Sequence, residues 1–120
     1  MLVGLHAGVA TAVVLYMLIL GLWGLASALR GAGVTESYRG ALVIGEALTI
    51  AQALIGVLLV IGGYRPHDAL HFLYGVLVPL IIPFAYGLVR AQPPRRAALY
   101  YGIATLFIVG LAIRAVVTGR

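Results

Sequence analysis

The sequence predicts an all-α polytopic membrane protein, an up-down-up-down bundle of four transmembrane helices forming a single domain over residues 1–120. Three observations carry that reading. The chain is 63% hydrophobic and only 9% charged, with a mean hydropathy of +1.13, whereas a water-soluble domain carries about 25% charged residues. Its apolar residues fall into four runs, each close to the roughly 20 residues that cross a hydrocarbon core about 30 Å thick. The runs are joined by short links rich in glycine and proline, and short links make successive helices antiparallel neighbours.

The first run covers about Leu2 to Leu29, broken only by His6, Thr11 and Ser27. It is too long for a signal peptide and has no basic segment before it, so it reads as a span. The second covers about Tyr38 to Ile61, the third about His67 to Val89, and the fourth about Ala97 to Val117. Pro79 and Pro83 fall inside the third. Each removes a backbone donor and is expected to bend that helix near mid-membrane.

Charge gives the orientation. The net charge of +5 comes from arginine alone, because the chain has no lysine. Arg30, Arg39, Arg90, Arg95 and Arg96 fall at one end of the bundle, and Arg65, Arg114 and Arg120 at the other. Cytoplasmic flanks are the richer in basic residues. Both termini are therefore expected outside the plasma membrane of a prokaryote, with Trp23, Tyr38, Tyr100 and Tyr101 forming an inner aromatic belt. The expected partner is the lipid bilayer, with basic residues against anionic headgroups, and not nucleic acid. The absence of cysteine excludes disulfides, thiolate chemistry, iron–sulfur clusters and thioether-attached cofactors.

An even number of crossings separates the first span from the third, so His6 and His71 are expected at similar depth on one side of the bilayer. Each is followed at i+4 by a small residue, Ala10 after His6 and Gly75 after His71, and Gly8 lies close by. That spacing leaves a bare helix face beside each imidazole. Two neutral imidazoles facing each other across a bundle can be the axial ligands of a haem iron in a six-coordinate electron-transfer centre. Alternatively, each histidine is an interfacial residue bonded to headgroups, water or a backbone carbonyl. His67, in Arg65-Pro66-His67-Asp68, is expected in the first turn of the third helix on the face of His71. A zinc site there would lack a third ligand, since Asp68 points away.

Glu46 is the one carboxylate within a span, about 12 Å from the nearer face at a rise of 1.5 Å per residue. It reads as a proton relay, a quinone or subunit contact, or a group bonded to Thr49 or another helix. Gly45, Thr49, Gln52 and Gly56 follow one another by three- and four-residue steps. They make a small, polar seam suited to close helix packing in lipid or to lining a cofactor pocket.

The stretch from Gln52-Ala53-Leu54-Ile55-Gly56 through Pro66 to His71-Phe72-Leu73-Tyr74-Gly75 resembles haem A synthase and related haem-binding bundles. In that family a helix carrying Q-x-x-L-G precedes a short outer loop with proline and a helix that opens with the second haem-ligand histidine. The first ligand histidine opens the helix before the glutamine helix, and His6 stands in that place. The resemblance covers the first three helices and implies that His6 and His71 are axial ligands of a b-type haem at the outer side. Haem A synthase has two such halves in eight helices, and its catalytic half carries a glutamate one turn before the histidine. Here the residue three before His6 is Val3, so the family's oxidising activity is not carried over and the chain is not read as an enzyme.

The sequence thus predicts a haem-b electron-transfer protein with His6, His71, Gly75, Ala10, Gln52 and Gly56 around the cofactor. It would be a small subunit of a respiratory or photosynthetic complex, or a homo-oligomer. An accessory subunit that packs against larger partners is the alternative, and a small proton-coupled transporter using Glu46 is the third. Arg114 and Arg120 are expected to snorkel to the outer headgroups or to pair with haem propionates.

Overall fold

The computed structural model describes residues 1–120 and contains four helices and no strand: α1 (Leu2–Leu29), α2 (Glu36–Ile61), α3 (Leu70–Val89) and α4 (Pro94–Gly119). All four are long and apolar enough to cross a membrane. In lipid a spanning segment must satisfy its own backbone polar groups, and a continuous helix does so. Contacts join α1 to α2, α2 to α3, α3 to α4 and α4 back to α1. The helices therefore stand at the corners of a square, with α1 diagonal to α3 and α2 diagonal to α4.

Three helix starts differ from the sequence expectation, each for a local reason. α2 begins at Glu36 rather than Tyr38 because the Thr35 side chain accepts a hydrogen bond from the Tyr38 amide at 3.1 Å, a side-chain cap for the helix start. α4 begins at Pro94 rather than Ala97, since a proline in the first helical position brings its φ already set. α3 begins at Leu70, so His67 lies outside the helix and the expected pairing of His67 and His71 on one helical face is not formed. Asp68 ends the preceding loop instead. Its carboxylate accepts the Leu70 amide at 2.9 Å, and its own amide donates to the Thr118 carbonyl of α4 at 2.8 Å. α3 stays helical through both Pro79 and Pro83.

α1 and α2 each stop in the same way. Gly31 (φ +73°) and Gly63 (φ +95°) adopt the left-handed conformation. The following amides, of Ala32 and Tyr64, donate back to Ser27 and Leu59 at 2.8 and 2.9 Å. These are glycine-closed helix ends that use carbonyls the helix itself leaves free.

The core lies between α1 and α4. Met17, Thr105 and Ile108 have no exposure at all. The two helices approach backbone to backbone at Gly21, Gly24 and Gly102. A Cβ on Gly24 would lie 2.6 Å from Tyr38 Oη and 2.8 Å from Gly102 Cα, and one on Gly102 would lie 2.9 Å from the Leu25 nitrogen. α2 is tied to α1 by two reciprocal tyrosines. Tyr16 of α1 donates to the Ala41 carbonyl at 2.6 Å, and Tyr38 of α2 donates to the Leu20 carbonyl at 2.8 Å. Tyr38 also stacks edge-on against Trp23, with centroids 5.0 Å apart, and lies 6.4 Å from Tyr101. Tyr38 and Tyr101 are buried, so these two rings of the expected aromatic belt face the protein interior rather than lipid, whereas Trp23 and Tyr100 are half-buried. Outward-facing Leu15, Ile19, Leu22, Ile44, Leu54 and Phe107 present an apolar surface suited to lipid.

Gly102→Ala is expected to lower the unfolding free energy in mild detergent by about 2 kcal/mol, because its methyl group would meet backbone that cannot move aside. Gly110→Ala is the control. A Cβ there meets nothing within 4 Å, and its effect should stay within about 0.5 kcal/mol.

Candidate functional site

His6 and His71 come together across the α1–α3 diagonal, near the end of the bundle where the chain begins. Their ring centroids are 6.1 Å apart and their planes are inclined by 71°. Both rings are half-buried. Separations of 4.5–7 Å are also usual for edge-to-face aromatic contact.

Each ring is held by a neighbouring helix. His71 Nδ1 lies 2.7 Å from the Ala115 carbonyl oxygen of α4. A carbonyl only accepts, so the proton of this bond sits on Nδ1, and in the neutral ring the Nε2 lone pair is left free. The partner carbonyl is near the C-terminal end of α4, where the helix dipole favours a donor. This is the backbone-carbonyl bond that one reading of the sequence allowed, and it is also how proteins orient a metal-binding imidazole. The α3 start is fixed to the same end of α4 by the Asp68–Thr118 bond, so backbone and side chain of this segment are anchored together.

His6 is held from α2. Gln52 Nε2 donates to the His6 carbonyl at 2.8 Å, and Gly56 lies against the ring, where a Cβ would come 3.3 Å from Cε1. His6 Nδ1 and Gln52 Oε1 are buried without a hydrogen-bond partner, and no other side-chain polar atom is. A buried group without a partner costs about 1–3 kcal/mol. The fold's two orphaned polar atoms therefore lie in the residue pair that joins α1 to α2 at this site.

The helices of the other diagonal meet the imidazoles with glycine. Gly56 of α2 faces His6, and Gly119 of α4 faces His71, where a Cβ would lie 2.8 Å from both Cε1 and Nδ1. Sequence reasoning found Gly56 but not Gly119 or Ala115. They stand at the far end of the chain, and no local signal ties them to a histidine 44 and more residues earlier. Gly75 follows His71 on α3, where an added methyl group would meet nothing within 4 Å, and Gly8 is equally open. Ala10 is half-buried on α1.

The remaining candidates lie elsewhere. The seam packs along α1: Gly45 lies on Tyr16, Met17 and Leu20, Thr49 is 1% exposed, and Gln52 and Gly56 reach His6. Glu46 is half-buried beside Thr49, whose hydroxyl lies 2.8 Å from the Glu46 carbonyl and 3.4 Å from its carboxylate. His67 is exposed. Arg114 is exposed, with its guanidinium over the Tyr74 ring at 5.8 Å. No group of three or more metal-ligating side chains is assembled anywhere in the fold.

Gly119→Ala is expected to push the His71 ring aside and weaken its bond to Ala115, whereas Gly75→Ala leaves that bond intact. Nitrogen-15 histidine spectra will check this through the Nδ1–H resonance, which should move in the first variant and stay in place in the second. Comparisons with family models, curated proteins and solved structures find no match to this chain.

Proposed function

We propose that the chain is a small membrane cytochrome that binds one b-type haem between His6 and His71 and passes electrons. The observation that carries this reading is the imidazole pair on the bundle diagonal, 6.1 Å between ring centroids. A bound imidazole nitrogen lies about 2 Å from its metal, and the ring centre roughly 1 Å behind it, so two imidazoles on opposite sides of one metal have centres about 6 Å apart. The donor set fits a haem better than a bare ion. Two histidines complete a haem iron, whereas a structural zinc site needs four protein ligands, and no third donor is near.

The chain's own residues support the assignment in three ways. The Ala115 carbonyl holds the His71 proton on Nδ1 and leaves Nε2 as a lone pair. Gly56 and Gly119 let the flanking helices pack against the rings, and Gly75 leaves open space one turn after His71 on α3. The buried His6 Nδ1 has no partner, the condition of a ring awaiting a further contact. When bound, the haem would supply one-electron chemistry, with its potential set by the two imidazoles and the burial around them. With the arginine-rich end at the cytoplasmic face of a prokaryotic plasma membrane, both termini and the haem lie at the outer side. In that setting the protein serves as a subunit of an electron-transfer complex or as a homo-oligomer.

The test is a pyridine haemochrome assay on protein purified from cells supplied with haem. Wild type is expected to carry about one b-type haem per chain. His71→Ala and His6→Ala should each abolish the low-spin bis-histidine spectrum while leaving the helix content measured by circular dichroism unchanged. A colourless wild type, or a spectrum surviving both substitutions, would refute the proposal and leave an accessory packing role ahead.

A further inference from the structure

The opposite end of the bundle carries a second feature, independent of the histidines. A groove of about 570 Å³ opens between the end of α1 and the start of α4. Leu25, Leu29 and Leu99 form its apolar wall, and Arg95 and Arg96 lie at its rim. Both arginines are exposed.

The charge there is uncompensated. No acidic residue lies in the first turn of α4. The arginines at both ends of the bundle bond to carbonyl groups or to an amide, not to carboxylates. Arg95 Nε donates to the Ala28 carbonyl at 2.7 Å. That bond anchors the guanidinium at the groove and leaves its two terminal nitrogens free to donate. A planar guanidinium with free donors matches a phosphate.

From this pairing of fixed cationic rim and leucine wall at one end of a membrane span, we infer that the α1–α4 groove binds an anionic phospholipid. Arg95 and Arg96 hold the phosphate, and an acyl chain runs along Leu25, Leu29 and Leu99. Charge complementarity selects this occupant: basic pockets between spanning helices recognise anionic headgroups, and a zwitterionic lipid offers no net charge to match. The apolar wall distinguishes a lipid from a free phosphate ester, which would leave the leucines uncovered.

Native mass spectrometry of the full chain released from detergent will test this, with phosphatidylglycerol and phosphatidylcholine of identical acyl chains as probes. Wild type is expected to retain phosphatidylglycerol preferentially. Arg96→Gln should weaken that retention about fivefold, the contribution of one basic side chain at an anionic surface. Arg96 is the variant of choice because Arg95 also caps α1. Leu99→Trp, which fills the groove without changing charge, should reduce retention as well, and circular dichroism checks that both variants fold. Arg65→Gln at the opposite end should leave it unchanged. Equal retention of the two lipids by wild type, or equal losses in Arg65→Gln and Arg96→Gln, would overturn the site. So would displacement of phosphatidylglycerol by glycerol phosphate at matched concentration, since the acyl chain would then contribute nothing.

Discussion

The bundle depends on the backbone contact between α1 and α4. In a bilayer, lipid tails are as apolar as leucine side chains, so apolar surface alone gives helices little reason to associate. What remains is dispersion from close packing and hydrogen bonds across helices. Gly21, Gly24 and Gly102 let these two helices touch main chain to main chain. Tyr38 then fills the space beside Gly24 and bonds Leu20, adding α2 to the pair. A methyl group at Gly24 or Gly102 would meet main chain under 3 Å away and push the two helices apart.

That contact also places the histidines. With α4 seated on α1, its C-terminal turn lies beside the start of α3, where it offers one carbonyl to His71 and another to the Asp68 amide. α2, held to α1 by two tyrosines, brings Gln52 and Gly56 to His6. Each imidazole is therefore positioned by a helix other than its own, and the diagonal separation follows from how the four helices close into a square. The two unpartnered atoms, His6 Nδ1 and Gln52 Oε1, stand out because every other buried side-chain polar atom has a partner. Thr49, Thr105 and Thr118, for example, bond carbonyls one turn back.

Arginine divides its work between the two ends. Arg95 and Arg65 cap the last carbonyls of α1 and α2, at the negative ends of helix dipoles where cations belong. With only three acidic residues against eight arginines, carbonyl oxygens serve as the protein's own partners for guanidinium groups, and excess positive charge faces the headgroup regions. Arg114 lies over Tyr74 at the histidine end.

The spans, their antiparallel order and the shared side of His6 and His71 were legible in the chain, because hydropathy and the number of crossings settle them without any side-chain detail. That the two rings face each other was decided by packing. The seam of Gly45, Thr49, Gln52 and Gly56, whose spacing is a property of one helix, was legible too, though not that it faces α1. Helix starts were less so: the α3 start shifted past His67 because Asp68 bonds a carbonyl 50 residues later in the chain. The burial of Tyr38 and Tyr101, the tautomer imposed on His71 by Ala115, and the glycine at 119 against its ring were decided by tertiary structure alone. They depend on which faces of α2 and α4 turn inward, and in a chain apolar on every side no periodicity marks an inward face; only the shape of the packed helices does.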